Sequence, residues 1–328
     1  MQIARQYVEF AEGLTLDDVP EPVVEHAKKL VVDIIAKAIG GHAWMESGPA
    51  VYAATRRLNR GQGGATALAT GESMAPEWAA FANGTMAHSL DFDNHHAKGV
   101  IHAGSLVVTA ALAAAEENES SGRKLLTAVV IGYEIATRLA MSCNPFSSHE
   151  MGFHPTGTWD VFGATAVVAK LRGASADEIT NALGINGSQA SGSMQYDLNG
   201  AWNKCAHPGF ATHSAFLAST LASEGFIGSA EVIEGVDGCL QGYPRRPVPE
   251  RATEGLGTSW ETFEMAIKPY PLCRYTHMTL DHLITFSNEL EPDPSAVTAI
   301  DIEIPSPSFL DDVVASCKAA VQRRFLVG

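Results

Sequence analysis

The sequence predicts a mainly α-helical protein: a large all-helical domain followed by a small α/β unit. Long segments up to about residue 240 repeat their apolar residues at a 3.6-residue period. One of them, Gly104 to Glu117, is almost pure Ala, Val and Leu, the composition of a helix buried on most sides. Beyond Gln241 the pattern changes. Pro244, Pro247 and Pro249, with Arg245 and Arg246 between them, mark a connector. Ile300, Ile302 and Ile304 then alternate with Asp301 and Glu303 as a half-buried strand does, over Val297 to Pro305. The expected boundaries are 1–243 for the helical domain, 244–264 for the connector and 265–328 for the α/β unit.

Thr15 to Asp18, with Pro20 and Pro22, reads as a helix start, and Val23, Ala27, Leu30, Val31, Ile34 and Ala38 keep the helical period up to Gly40-Gly41. A second helix is expected from about Gly48 to Leu58. Arg60 to Gly64 is a turn whose glycines follow no strand, which argues against a dinucleotide-binding loop. Pro76 can open a helix that runs through Trp78 to Ser89. Further helices are expected at Gly104–Glu117, Arg123–Met141 and Gly163–Leu171. Ser175 with Glu178 forms a capping box for a helix ending near Leu183. Thr212–Ser223 and Met278–Asn288 complete the set, and Val313 to Val327 could fold as a last helix. Nothing before Gln241 reads as a strand. The many Ala and Gly residues imply close helix approach.

The net charge of -15 argues against nucleic acid or an anionic membrane surface as a partner, since both need a basic face. Five scattered cysteines without a CxxC pair suit a reducing compartment. Met1 to Tyr7 lacks the pattern of a signal peptide, and no uninterrupted apolar run reaches membrane-spanning length. A soluble, cytoplasmic protein is expected.

Between two of the apolar helices lies the stretch Met86 to His102, with four histidines, two aspartates and a lysine. A solvated loop is the ordinary reading of such a segment. Its flanks, however, must leave and re-enter a packed core, and histidines recur downstream on similarly tight backbone. Those later segments are Gly152 to Gly157, Trp202 to Gly209, Lys268 to Pro271 and Cys273 to His277. Together they read as parts of an active site. An anionic ligand in so acidic a protein would need local cations, and Lys98, Lys204, Lys268 and Arg274 are the candidates.

In this order the segments resemble the MmgE/PrpD family, which includes 2-methylcitrate dehydratase, cis-aconitate decarboxylase and iminodisuccinate epimerase. The matching residues are His88 to Asp93, Gly152 to Thr156, Asn181 to Ile185, Lys204 with His207-Pro208-Gly209, Gly225 to Gly228 with Glu234-Gly235, and Lys268 to Pro271. The resemblance implies a large helical domain, an α/β lid, a homodimer, and chemistry on tricarboxylates or related acids without metal or organic cofactor. Family active-site positions fall on Asp91, His102, His154, Lys204 and His277. Lys98, Thr156, Lys268, Arg274 and Tyr275 are the expected substrate-binding residues. The Asp91-to-His102 spacing is slightly longer than in the family pattern. Family members also continue past residue 328 with further helices, so either a piece of a longer protein or a shortened lid is expected, with weak turnover in both cases.

Such chemistry removes a proton, water or carbon dioxide next to a carboxylate, and needs a base, an acid and charges that stabilise the intermediate. Asp91 or His154 could be the base, and Lys204 and Arg274 are natural carboxylate clamps. The sequence leaves dehydration, decarboxylation and epimerisation open. Three other readings are weaker. A metal site among His88, His95, His96 and His102 would lie beside lysines that repel it. Serine hydrolysis lacks its Gly-x-Ser-x-Gly elbow near Gly184 to Gly192. A non-catalytic carboxylate-binding protein would be stabilised by a ligand without turning it over.

Overall fold

A computed structural model describes residues 2–299 and 301 of the chain. The described protein is mainly α-helical. In chain order, α1 (Ile3–Gly13), α2 (Glu21–Trp44) and α3 (Ser47–Asn59) precede a hairpin of β1 (Ala65–Ala67) and β2 (Glu72–Met74). Helix α4 (Pro76–Ser89) and the two-residue strand β3 (His95–His96) follow, then α5 (Gly104–Glu117) and α6 (Gly122–Ser142). Next come α7 (Pro145–Glu150), α8 (Pro155–Thr158), α9 (Asp160–Leu171), α10 (Ala176–Gly187), α11 (Tyr196–Asn199) and α12 (Asn203–Ser223). Short α13 (Cys239–Gly242), strand β4 (Met265–Ala266) and α14 (His277–Leu290) complete the described part.

The core is built around α4, which packs on α12, α2 and α5, while α9 packs on α6, α5, α10 and α12. Small residues set these distances. A Cβ at Gly41 would stand 1.9 Å from the Met86 carbonyl oxygen. That contact with α4 explains why α2 runs on to Trp44 instead of stopping at Gly40-Gly41: here glycine is a packing residue and not a terminator. On the other side of α4, a Cβ at Gly209 would lie 2.1 Å from Thr85 Oγ1. Helix α12 also begins well before the expected Thr212, and Pro208 sits inside it. A proline in the second turn removes one hydrogen bond, and packing against α4 outweighs that loss. The capping box at Ser175 and Glu178 forms as expected, with Oγ and the backbone amide of Ser175 both bound to Glu178 Oε2. Its helix continues to Gly187.

The sequence reading contains neither α1 nor the short strands. Helix α1 buries Ile3, Ala4, Tyr7, Val8 and Ala11 on one face against α10, and Tyr7 Oη donates to the Ala252 carbonyl at 2.8 Å. Three strands precede Gln241 and correct the expectation of none there: β1 pairs antiparallel with β2, and β3 with β4. Strands of two or three residues are too short to show alternation. Helix α6 is long and apolar enough to cross a membrane, although charged residues interrupt it, and its apolar window is 89% buried within the protein.

Residues 249–264, within the expected connector, lie against α6. Glu134 of α6 is wholly buried and accepts from the backbone N–H groups of Glu261 and Thr262 and from Thr262 Oγ1. Arg138, one turn on, pairs with Glu134 and donates to the carbonyls of Glu254 and Ser259. This clamp delivers β4 to β3, with His95 opposite Ala266 and His96 opposite Met265. Of the strand expected over Val297 to Ile304, residues 297–299 and 301 are described and lie in no strand, while the other four, like the helix expected at Val313 to Val327, lie outside the described residues.

Candidate active site

The loop between α4 and α5 leaves the core with two residues in the left-handed region: Asp91 at φ 49° and Val100 at φ 53°. Aspartate tolerates that conformation, whereas a β-branched valine is strained in it. Asp91 stands at the centre of a cationic group. Lys268, two residues past β4, places Nζ 2.8 Å from Asp91 Oδ1 and 2.8 Å from the Asp91 carbonyl oxygen. Lys204, in the first turn of α12, reaches Asp91 Oδ2 at 3.2 Å. Burial alone would raise the Asp91 pKa, but the two ammonium groups outweigh it and hold the carboxyl well below its ordinary range. Burial likewise opposes the charge of Lys204, yet Asp91 raises its pKa and keeps it protonated.

A second group of side chains is organised by Asp93, which is fully buried. Its Oδ2 accepts from His88 Nδ1 at 2.8 Å and from Ser105 Oγ at 2.8 Å. His102 Nδ1 lies 3.3 Å from Asp93 Oδ1, within ion-pair range but not aligned as a hydrogen bond. Burial and Lys268 lower the His102 pKa to about 4, against the pull of Asp93. Thr156 Oγ1 accepts from the His102 backbone N–H at 3.1 Å and ties this loop to α8. His95 is lowered to about 3 by burial, His102, Lys268 and Arg274.

The third group faces these from α8 and α12. His154 Nδ1 and His207 Nδ1 are 2.9 Å apart, and the Tyr196 ring stands edge-on to both imidazoles. His154 packs on His88, with ring centroids 5.7 Å apart. Its pKa is held well below the ordinary value by burial first, then by His207, His88 and Lys204. Burial, His88 and Lys204 lower His207 to about 4.

Asp91, His102, His154, Lys204 and Lys268 are thus brought into one cluster, His154 and Lys268 buried and the other three half-buried, at the junction of α4, α5, α8, α12 and the segment after β4. His277 borders it: buried at the start of α14, it meets the Leu272 carbonyl through Nε2 at 3.2 Å and the Tyr270 ring. Its pKa is lowered by burial, and Lys268 and Arg274 add to that. Tyr275 is 41% exposed, and its partial burial raises its pKa to about 12. Lys98 is placed elsewhere. Its ammonium lies 3.5 Å from Glu261 and 3.8 Å from Glu264 on an exposed face. His96, next to it, donates from Nε2 to Glu261 and accepts the Gly99 N–H at Nδ1, a satisfied structural histidine.

His88, Asp93 and His102 each offer a ligand atom within 4.8 Å of the others, the spacing of a three-ligand cation site. Here Asp93 Oδ2 already accepts two hydrogen bonds, one of them from His88 Nδ1, and Lys268 acts electrostatically on His102. The arrangement suits protons better than a cation. Reasoning from sequence gave no role to Asp93 or His207. Lys204 and His207 are three apart on one helix, a spacing that puts them on one face. That signal was hidden because the helix was expected to begin only at Thr212, past both residues.

Residues 5–251 match the MmgE/PrpD N-terminal domain. Similar curated proteins include the cis-aconitate decarboxylase of Aspergillus terreus, 27% identical over 84% of this chain and 58% of that protein. The cis-aconitate decarboxylase-like protein oryM of Aspergillus oryzae is 27% identical over 90% of the chain and 64% of its own length. The cis-aconitate decarboxylase of Homo sapiens is 25% identical over 85% of the chain and 58% of its own length. The chain therefore spans roughly three fifths of the relatives it matches. With a family match covering most of its length, the chain belongs to the MmgE/PrpD family.

Proposed function

We propose that this protein is an acid–base lyase that decarboxylates a small polycarboxylate of the cis-aconitate type. The observation that carries the reading is the junction of two lysines on one carboxylate with a group of neutral, buried imidazoles. Lys204 has ammonium protons left beyond its bond to Asp91, and Lys268 has one left beyond its two. These, with Arg274, bind the carboxylates that remain on the substrate. Loss of carbon dioxide leaves an electron pair conjugated to a neighbouring carboxylate, and the same cations stabilise that charge in a site from which water is largely excluded. An imidazole N–H then protonates the carbon. His154 and His102 are better placed for this than Asp91, whose carboxylate is too weakly basic beside two lysines to exchange protons near neutrality. His277 closes the site from α14, and Thr156 and Tyr275 line it. Lys98, bound to Glu261 and Glu264, is left out of the proposal.

The names of the relatives favour decarboxylation over dehydration. The test is a panel of cis-aconitate, 2-methylcitrate, citrate and iminodisuccinate incubated in deuterium oxide and followed by proton NMR. Carbon dioxide loss with one deuterium incorporated into the product is expected from cis-aconitate. Water loss from a citrate would make the protein a dehydratase, and exchange without net reaction an epimerase. A thermal shift with no turnover would make it a carboxylate-binding protein.

A further inference from the structure

Both His154 and His207 are neutral in the folded protein, because burial and neighbouring charges depress their pKa values. A neutral histidine is a poor acid on its own. If it gives up its single ring proton it becomes an imidazolate, which is far too basic to form near neutrality. A lone His154 could therefore not protonate a carbanion, and becoming an imidazolium first is opposed by the same burial. The structure supplies a way round this. His207 Nδ1 faces His154 Nδ1 at 2.9 Å, and two neutral rings can share such a contact only if one nitrogen carries the proton and the other accepts it. The backbone around the pair is cleared for it. A Cβ at Gly192 would stand 3.2 Å from His207 Nδ1, and one at Gly157 would stand 3.1 Å from His207 Cβ.

We propose that His207 is the positioning residue that makes His154 a competent proton donor, by passing its Nδ1 proton to His154 Nδ1 as the Nε2 proton of His154 leaves for the substrate carbon. The inference rests on the acid–base reading above. In the step, the Nε2–H bond of His154 breaks and the carbanion electron pair forms the new C–H bond. The Nδ1–H bond of His207 breaks and Nδ1–H forms on His154. A solvent-borne acid gives its proton to His207 Nε2. Both rings end neutral, in the opposite tautomers, with the hydrogen bond between them reversed. His207, at 9% exposure against 4% for His154, is the ring nearer solvent. After product leaves, water entering the site returns a proton to His154 Nε2, and the same path runs backwards.

The experiment compares wild type with His207→Phe, which keeps an aromatic ring without nitrogens, and His207→Ala, which leaves room for one. Both variants should lose about a hundredfold or more in kcat, with KM changed by less than about threefold. Free imidazole should restore His207→Ala about tenfold or more and leave His207→Phe slow, a difference that loss of packing would not produce. If His207→Ala melts below the assay temperature, His207→Gln replaces it, and it should be as slow as His207→Phe. A separate readout needs no substrate. In protein labelled with nitrogen-15 histidine, wild type should show a proton shared between two Nδ1 atoms, and His207→Phe should lose it. A wild type inactive on every acid in the panel would overturn the lyase reading while the spectra still decided the pairing. A kcat for His207→Phe within about threefold of wild type, a folded His207→Ala that imidazole does not rescue, or spectra without the shared proton would overturn the role of His207.

Discussion

Asp91 is held in the left-handed region with one carboxylate between two ammonium groups, and its charge is what lets Lys268 be buried. Asp91→Asn would leave that buried ammonium without a counter-charge, which costs about 3–5 kcal/mol where a buried pair is broken from one side. Urea denaturation should show a loss of that order, together with loss of turnover. Lys98→Ala, on the exposed Glu261–Glu264 face, should change stability by no more than about 0.5 kcal/mol and leave turnover intact. The histidines predict a pH dependence of opposite origin. His95, His102 and His207 titrate at about 3, 4 and 4 in the folded protein, below the ordinary value of 6.5. Over that interval the unfolded chain binds more protons than the folded one, so stability falls as the pH falls. The contribution is complete above about pH 6.5 and is lost progressively toward pH 4. Asp91 and Asp93, whose pKa values are depressed, add to the loss only at lower pH, as their carboxylates are protonated. Melting temperatures should hold level from pH 7.5 to about 6.5 and decline from there to pH 4.5, less steeply in His102→Asn; a profile flat down to pH 4.5 would refute this. The sequence made these residues visible as polar groups on tight backbone between apolar helices. It could not show which carboxylate each one meets, because the Lys204–Asp91 and Lys268–Asp91 contacts join residues far apart in the chain.

At the level of elements, long periodic segments were legible and terminators were not. The helices from Pro76, Gly104 and Gly122 lie where apolar repetition puts them. Gly40-Gly41 was expected to end its helix and Thr212 to open another, yet α2 runs through the glycines and α12 begins at Asn203 with Pro208 inside it, since tertiary packing against α4 overrides local propensity. The consequence is testable at Gly41, where any side chain meets the Met86 carbonyl oxygen. Gly41→Val should destabilise by about 3 kcal/mol or more, even though valine only modestly disfavours a helix. If urea denaturation finds it neutral, the α2–α4 crossing is wrongly described. The β3–β4 ladder was invisible because two residues carry no period, although it carries Lys268 to the site. Its position depends on the buried Glu134–Arg138 clamp. Glu134→Ala should therefore speed amide hydrogen exchange over residues 259–268 and reduce turnover, although Glu134 does not contact the cationic group. Unchanged exchange there would show that the segment is held by other contacts.

For the whole molecule, the mainly α class follows from composition and period, and the described residues agree with it. The homodimer expected from the family is proposed here through a face other than that of its most apolar helices. Helices α5 and α9 are the most apolar of the chain, but their apolar residues are buried inside the subunit. Among the described residues, uncovered apolar side chains lie on α12 and, more numerous, on α14 at Met278, Phe286 and Leu290; the α12 set lies on a helix that carries part of the cationic group. Phe210 and Leu217 stand seven residues apart on one face of that helix, and both are more than half exposed. Phe81 and Trp78 of α4 extend the patch beside Phe210. This patch lies on the helix that also carries Lys204 and His207, and a contiguous apolar patch is where a partner docks. A second copy turned by a two-fold axis would cover it with the same residues, as self-complementary dimers do. The expected interface buries more than about 1,600 Å² in total. Light scattering at micromolar concentration should give the mass of a dimer, and Phe210→Asp, which forces a carboxylate into the middle of the strip, should shift it to monomer. A wild type that scatters as a monomer would refute the interface. A Phe210→Asp variant that remains dimeric would place the two-fold axis on another face.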